Sequence, residues 1–188
     1  MYNKKYYSLL GNEYRKFFRF QIIGFLRAIY IKALFNPQSV LDVGCGMGNL
    51  VEMLRRLGVE AWGIDVSSYA LAQIPQKIKR FFKKGSITNI PFADKEFEVV
   101  TTTSVLEHIS PKDIPLAIKE CARVAKKGIY HEIAVLEDKT TINKDPTHVS
   151  KYKASWWFKK LKSQLKGWRV ERGLRIPILK NGIFVIRR

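Results

Sequence analysis

Three glycines between an apolar run and an amphipathic run are the residues whose spacing could do chemistry. Residues 40–50 read VLDVGCGMGNL, so Gly44, Gly46 and Gly48 follow a predicted strand and precede apolar residues at helical spacing. Glycines accept a positive φ and let a ligand approach the bare backbone, and the helix that follows presents unpaired N–H groups. The turn therefore predicts a site for a ligand that carries negative charge or lone pairs.

A carboxylate follows this turn at the spacing of a ribose-binding acid. Residues 61–65, Ala-Trp-Gly-Ile-Asp, predict a second strand that ends at Asp65, about twenty residues beyond the turn. An acid there can accept hydrogen bonds from both hydroxyls of an adenosine ribose. The alternative is that Asp65 caps a helix near Ser67, and the two roles are compatible. The spacing differs from a dinucleotide fingerprint, because Asn49 stands where that fingerprint has its third glycine.

Alternating strands and helices would position these residues at one edge of a sheet. Strands are predicted to end at residues 43 and 65 and to span 79–82, 98–103, 129–135, 168–171 and 183–186. Helices are predicted over 13–35, 50–57, 67–78, 113–126 and 154–165, with Gly58 and Gly128 ending two of them. We therefore predict an α/β fold: a doubly wound, mostly parallel seven-stranded sheet with helices on both faces and an antiparallel C-terminal strand. Its ligand would lie at the carboxyl ends of the strands, where their order reverses.

Several stretches together resemble the class I S-adenosylmethionine-dependent methyltransferases, in particular the small enzymes grouped as type 11. They are VLDVGCGMGNL at 40–50, WGIDVS at 62–67, GSITNIPFADKEFEVVTTTSVLEHI at 85–109 and, more weakly, a tail from His148 to Gly167-Trp168. The resemblance covers residues 36–170 and implies a Rossmann-like fold, S-adenosyl-L-methionine as the cofactor and methyl transfer as the reaction. At 188 residues we expect a single domain. Its parts would be an N-terminal helical cap (1–35), a cofactor-binding core (36–135) and an acceptor-side loop, helix and strands (136–188).

The resemblance also implies which residues would bind the cofactor. The methionine part would be held by the glycine turn and a strand end, at Asp42, Gly44, Cys45, Gly46, Gly48 and Thr103. Asp65 would bind the ribose, and the adenine would be contacted by Val66, Ser86 and Ile87. Ser86 departs from the family pattern, which usually has an acid there; a serine hydroxyl accepts hydrogen bonds without the help of a charge.

The three histidines are the candidates for a base that takes the acceptor's proton. His108 ends the LEHI stretch beside the expected cofactor site, and we rank it first. His148, in a polar loop over 136–150, ranks second, and His131, in a strand expected to be buried, ranks third. A buried histidine can equally be a hydrogen-bonded structural group. Glu107 could orient a neighbour, and a site without any base is the remaining alternative.

The charge distribution indicates an anionic partner. The net charge is +18, from 34 basic and 16 acidic side chains. Residues 1–35 hold seven basic and one acidic, residues 36–143 hold fourteen and thirteen, and residues 144–188 hold thirteen and two. We expect an anionic small-molecule acceptor between the two basic flanks, with RNA, a membrane surface or simple solubilisation as alternatives. The apolar N-terminal helix makes a homodimer conceivable.

Absent motifs narrow the chemistry. No Asn/Asp-Pro-Pro-aromatic motif, Pro-Cys nucleophile, H-E-x-x-H, C-x-x-C or Walker-type sequence occurs. Cys45 and Cys121 form no disulfide framework and have no metal-ligand company, so we expect no metal and a cytoplasmic protein with reduced thiols. Three functions remain: methyl transfer to O or N of a small or lipid-linked anionic acceptor, methylation of RNA, and a non-catalytic role in binding the cofactor or a partner.

Overall fold

The computed structural model describes residues 4–9, 18–138, 145–174 and 182–188. The strands in these ranges are β1 (Ser39–Val43), β2 (Glu60–Asp65), β3 (Phe82–Lys84), β4 (Phe97–Thr103), β5 (Ala125–Ile133), β6 (Arg169–Arg172) and β7 (Gly182–Arg187). They form a seven-stranded sheet in the order β3-β2-β1-β4-β5-β7-β6. The pairs β1–β2, β2–β3 and β4–β5 are parallel, and β5–β7 and β6–β7 are antiparallel. The predicted fold class is confirmed.

Helices flank this sheet. Among the described residues they are α1 (Lys4–Leu9), α2 (Phe18–Phe35), α3 (Asn49–Arg56), α4 (Ser68–Ala72), α5 (Ile114–Val124) and α6 (Ala154–Gln164), with 3₁₀ helices at Gln76–Phe81 and Leu106–His108. None of these helices combines the length and apolar character needed to cross a bilayer. The chain divides into two compact units, residues 1–86 and 87–188. That the whole chain acts as a single domain stays a prediction.

In the first unit, α2 packs closely against α3. A Cβ atom added to Gly24 would lie 2.7–2.9 Å from the side chain of Asn49, so the missing side chain lets the two helices approach. The Nζ atom of Lys32 donates a hydrogen bond to the carbonyl of Leu57 just beyond the end of α3, at 2.7 Å. The predicted helix end before Pro37 is confirmed, whereas predicted helical residues 13–17 lie outside the described residues.

Two predicted elements of the first unit are wrong. The helix expected over 67–78 is the short α4 followed by the 3₁₀ helix Gln76–Phe81. Pro75 separates them, because its extended backbone (φ −55°, ψ 137°) and missing N–H cannot continue the α-helix. The strand expected over 79–82 therefore begins only at Phe82, as β3.

In the second unit, Gly128 does not end a helix as predicted. Helix α5 ends at Val124 and β5 begins at the next residue, so Gly128 lies inside that strand, opposite Val99 of β4 and Arg187 of β7. The two neighbouring strands supply partners for the backbone N–H and C=O groups, and this pairing overrides local helix propensity. The remaining helix and strand predictions of this unit are confirmed within one to four residues, including antiparallel β6 and β7.

Helix α6 carries several of the aromatic residues of the basic C-terminal flank. Trp157 is fully buried and belongs to the core, while Trp156 stacks on Tyr152 with ring centroids 3.7 Å apart. The carboxylate of Glu137 accepts a hydrogen bond from the backbone N–H of Ala154 and so caps the start of the helix. This hydrogen bond holds the first residue of α6 against Glu137, which follows β5. Residues 139–144 of the predicted polar loop lie outside the described residues.

Candidate functional site

The glycine turn uses its glycines for two different purposes. Gly44, Gly46 and Gly48 all have positive φ, at 76°, 54° and 82°. A Cβ on Gly48 would lie 2.6 Å from the Phe82 ring, so this position is glycine because of close packing. A Cβ on Gly46 would meet nothing within 4 Å, so Gly46 presents bare backbone to open space. Gly46 is the position at which a ligand can approach the turn.

Asp65 fastens this turn from the end of β2. Only 8 % of the surface of Asp65 is exposed. Its Oδ2 atom accepts a hydrogen bond from the N–H of Gly46 at 2.8 Å, and its Oδ1 atom accepts one from the N–H of Ser67 at 2.7 Å. Burial raises the pKa of this carboxyl, and those backbone donors oppose the rise. The residue that caps α4 is Ser67, whose Oγ accepts from the N–H of Ala70.

The residues around Asp65 fit an adenosine cofactor. Each carboxylate oxygen has a further lone pair for a ribose hydroxyl. Val66, the next residue, leaves 47 % of its surface exposed, which is a large fraction for a valine and suits contact with an adenine ring. Together with the open face of Gly46, these features fit S-adenosylmethionine as the ligand. The residues that would hold it are Asp42, Gly44, Gly46, Gly48, Asp65 and Val66.

Cys45 is a packing residue inside the turn. Burial raises the pKa of its thiol, and Asp42 and Asp65 raise it further, so the thiol stays protonated. A Cβ on Gly63 would lie 2.8 Å from the Cys45 sulfur, so the neighbouring strand leaves room for it. The predicted role of Cys45 in cofactor binding would therefore come from its backbone.

The other predicted cofactor residues lie at the boundary of the two units and beyond it. Ser86, half-buried, ends the first unit after β3. Ile87 is buried, and Thr103 is half-buried at the end of β4; both belong to the second unit. Their contacts with the cofactor stay predictions.

In the second unit, Glu107 is a fully buried carboxyl with one oxygen unpaired. It lies in the 3₁₀ helix that follows β4, with none of its surface exposed. Its Oε1 atom accepts from the N–H of Ala134 at 3.1 Å, and its Oε2 atom has no hydrogen-bond partner in the described part of the chain. Burial raises the pKa of Glu107 to about 8, so at neutral pH the protonated form predominates.

His108 is held by a loop that returns from 39 residues further along the chain. Its Nδ1 atom lies 2.9 Å from Oγ1 and 3.3 Å from the carbonyl oxygen of Thr147. The Thr147 hydroxyl in turn donates to Oδ1 of Asp145 at 2.6 Å. Burial, and then the neighbouring His148, lower the pKa of His108 to about 4. Its imidazole is therefore neutral at pH 7.

His148 lies beside His108, so the structure brings together the two histidines that the sequence analysis ranked first and second. Their ring centroids are 4.6 Å apart in an edge-to-face arrangement, and His148 is mostly buried. One ligand atom from each of Glu107, His108 and His148 lies within 4.8 Å of the others. Two imidazoles and a carboxylate are donors that a divalent transition metal accepts. The absence of a metal stays a prediction.

His131, ranked third, is fully buried in β5. Its Nδ1 atom lies 2.7 Å from the hydroxyl of Thr102, and its Nε2 atom has no partner among the described residues. Burial lowers its pKa to about 3, so the ring is neutral. It packs as a neutral core group in the sheet.

Sequence reasoning missed Asp145 and Thr147. Oδ1 of Asp145 accepts from both the N–H and the hydroxyl of Thr147, an Asx-type turn around Pro146. The Asp-Pro-Thr-His run at 145–148 carried a turn signal, but no sequence signal connected it to His108.

A family model described as "Methyltransferase domain" matches residues 41–131. A ubiquinone biosynthesis O-methyltransferase from Alkalilimnicola ehrlichii is 33% identical over 115 residues, which cover 58% of this chain and 43% of the relative. A norajmaline N-methyltransferase from Rauvolfia serpentina is 32% identical over 110 residues, which cover 53% of this chain and 36% of the relative. The chain thus spans less than half the length of these curated relatives.

A solved structure agrees over nearly the whole chain. It is a magnesium protoporphyrin IX methyltransferase from Synechocystis PCC 6803 with bound SAH, which matches with a TM-score of 0.76 and 18% identity and covers 99% of this chain and 95% of its own. At that identity the likeness concerns the fold. Residues 41–131 thus match a methyltransferase domain, within a chain whose fold is similar to that of a solved methyltransferase.

Proposed function

We propose that this protein transfers a methyl group from S-adenosylmethionine to an oxygen or nitrogen atom of an anionic small-molecule acceptor. The observation that carries the proposal is the Asp65 carboxylate, held at 2.8 Å from the N–H of Gly46 where the backbone faces open space. Bound S-adenosylmethionine supplies an electrophilic methyl group. The similar O- and N-methyltransferases support a hydroxyl or amine as the acceptor group.

In this proposal the chain contributes binding through the first unit. Asp65 accepts hydrogen bonds from the ribose hydroxyls, Gly46 lets the ligand lie against the backbone, and Val66 packs on the adenine. All three positions are fixed by the strand end and its hydrogen bonds, so little ordering is needed when the ligand binds.

His108 is the proposed base. Its imidazole is neutral because its pKa is lowered to about 4, so it can accept the proton of the acceptor group. An anionic acceptor beside the ring would favour the imidazolium and so raise the basicity of His108 at the moment it is needed. His148, in contact with His108, is the second-ranked base.

The acceptor's negative charge is inferred from the segment that follows His148. Lys151 and Lys153 are exposed, three and five residues beyond it, and Tyr152 between them stacks on Trp156. Exposed cations in the segment that follows His148, which contacts the proposed base, would attract an anion. Contact with a membrane surface, a homodimer and a cytoplasmic location stay predictions.

Calorimetric titration tests the cofactor step. Wild-type protein should bind S-adenosylmethionine and its demethylated product, and NADH should bind more weakly. Asp65→Ala should weaken binding by about 1–3 kcal/mol through lost hydrogen bonds. Asp113→Ala, which removes a carboxylate elsewhere in the chain, is the matched control and should bind as wild type. Tighter binding of NADH would contradict the proposal.

Labelled cofactor then tests the acceptor. When the protein is incubated with labelled cofactor and a pool of small metabolites, the methyl label should enter that pool. Removal of the anionic metabolites beforehand should abolish the incorporation of label. Label in RNA instead would contradict a small-molecule acceptor, and binding of cofactor without label in any pool would indicate a non-catalytic protein.

A further inference from the structure

The hydrogen bonds around His108 have a fixed direction. The Asp145 carboxylate can only accept, so the single proton of the Thr147 hydroxyl is directed to Asp145 Oδ1, 2.6 Å away. That leaves Thr147 Oγ1 as an acceptor toward His108 Nδ1, at 2.9 Å. The Thr147 carbonyl oxygen, 3.3 Å from the same nitrogen, can also only accept. Both contacts require that Nδ1 carries the proton.

The carboxylate's own position is fixed independently of the histidine. Asp145 Oδ1 also accepts from the backbone N–H of Thr147 at 2.8 Å, and the backbone N–H of His148 donates to the carbonyl of Asp145 at 3.2 Å. The loop is attached to the 3₁₀ helix through the backbone as well, because the N–H groups of Val149 and Ser150 donate to the carbonyl of Glu107. The chain therefore holds Asp145 and Thr147 in place against His108.

We propose that Asp145 and Thr147 are positioning residues that hold neutral His108 in the Nδ1–H tautomer, so that Nε2 carries no proton and can take the one that the acceptor gives up. The second half of this statement rests on the proposed function. The proton moves from the acceptor O–H or N–H to Nε2, so the imidazole becomes an imidazolium. The Nδ1–H bond stays intact, and its hydrogen bond to Thr147, backed by Asp145, stabilises the positive charge.

The charged and titratable groups around His108 allow this arrangement. His148 lies in ring contact and disfavours a second positive charge, whereas Asp145 favours one. Glu107, the preceding residue, is buried and mainly protonated at neutral pH. Without the Thr147 hydroxyl, the contact of Nδ1 with the Thr147 carbonyl oxygen, at 3.3 Å, would be the weaker support for this tautomer. The Nε2–H form could not act as a base at that atom.

The tautomer can be measured without cofactor or acceptor. Nitrogen-15 NMR of the full chain, with histidine side chains labelled and His108 assigned by His108→Gln, should show a protonated Nδ1 and an unprotonated Nε2 at pH 7. Thr147→Val removes the hydroxyl and should increase the Nε2–H population, while Thr147→Ser should restore the wild-type spectrum. Asp145→Ala frees the Thr147 hydroxyl to donate to Nδ1 and should shift the population the same way.

A matched control removes the same kind of pair elsewhere. The Ser110 hydroxyl donates to Asp113 at 2.7 Å, so Asp113→Ala removes a similar hydroxyl–carboxylate pair and should leave the His108 spectrum unchanged. A wild-type spectrum with protonated Nε2 overturns the proposal, and so does a Thr147→Val spectrum identical to wild type. Stoichiometric metal in the purified protein, with a Nε2 signal that changes on chelation, also overturns it because Nε2 would be a metal ligand.

Kinetic measurements then separate the positioning of His108 by Asp145 and Thr147 from the proposed function. Thr147→Val should lower kcat by about tenfold or more with little change in KM, and Thr147→Ser should recover most of the loss. If Thr147→Val changes the tautomer but not kcat, the positioning role of Thr147 is supported and the base role of His108 is wrong. The failure of one statement therefore does not conceal the failure of the other.

Discussion

The Oδ2 atom of Asp65 lies 2.8 Å from the backbone nitrogen of Gly46, and this hydrogen bond ties the end of β2 to the glycine turn. The two residues are 19 positions apart and belong to the two signals that the sequence offered separately. Because the carboxylate already orders the turn, a ligand that binds there meets a preformed site.

The first prediction separates ligand approach from packing in the turn. Gly46→Ala should cost about 1–2 kcal/mol of unfolding free energy, because alanine disfavours a positive φ, and its methyl group should weaken S-adenosylmethionine binding. Gly48→Ala adds a clash with Phe82 and should cost about 3 kcal/mol or more. Urea unfolding and calorimetry measure both effects. Wild-type affinity in Gly46→Ala would show that the ligand does not approach this face.

The second prediction concerns His108. His108→Ala should lower kcat by roughly a hundredfold while cofactor affinity stays nearly unchanged, because the base acts on the acceptor. Fixed-time assays with labelled cofactor measure kcat, and a binding titration measures the cofactor affinity. His148→Ala is the matched control and should have the smaller effect. Equal rates in His108→Ala and wild type would return His108 to a structural role.

The pH profile gives a separate reading of the same group. Since the pKa of His108 is lowered to about 4, the acid limb of kcat/KM should lie near pH 4 and not near the ordinary value for histidine. Circular dichroism would define the pH range in which the protein stays folded. An acid limb near 6.5 inside that range would point to another base.

The sequence predicted what local signals determine. Gly44–Gly48 and Asp65 were identified because a strand, a turn and a helix start leave adjacent marks in the chain. The start of β3 was misplaced because residues 79–81, which were predicted as strand, belong to the 3₁₀ helix that follows Pro75. Asp145 and Thr147 were missed because Thr147 lies 39 residues beyond His108 in the chain, and no local pattern indicates a contact between residues so far apart.

The third prediction concerns stability against pH at Glu107. Its pKa is raised from 4.5 to about 8 in the folded protein, so the folded state binds a proton more tightly than the unfolded state. This contribution to stability is complete below pH 4.5 and is lost as the pH rises through about 8. Glu107→Gln cannot ionise, so its free energy of unfolding should fall less than that of wild type between pH 5 and 9. Urea unfolding at several pH values measures the two slopes, and parallel slopes would contradict the prediction.

The last prediction concerns the basic segment after His148. The Lys151→Glu/Lys153→Glu variant changes the formal net charge from +18 to +14 and places two acids in the segment that follows His148. If these lysines attract an anionic acceptor equally in the ground and transition states, KM should rise more than kcat falls. Lys162→Glu/Lys166→Glu is the matched control, because it makes the same charge change at exposed positions further along the chain. Its KM should stay near that of wild type.

A small anionic acceptor should also give a shallow dependence of KM on salt, whereas RNA would give a steep one that grows with the number of phosphates contacted. An equal rise of KM in both variants would mean that net charge matters and the segment does not. No change in KM at low salt would mean that Lys151 and Lys153 do not contact the acceptor. Arg15 and Lys16 of the N-terminal flank lie outside the described residues, so this experiment addresses the C-terminal flank alone.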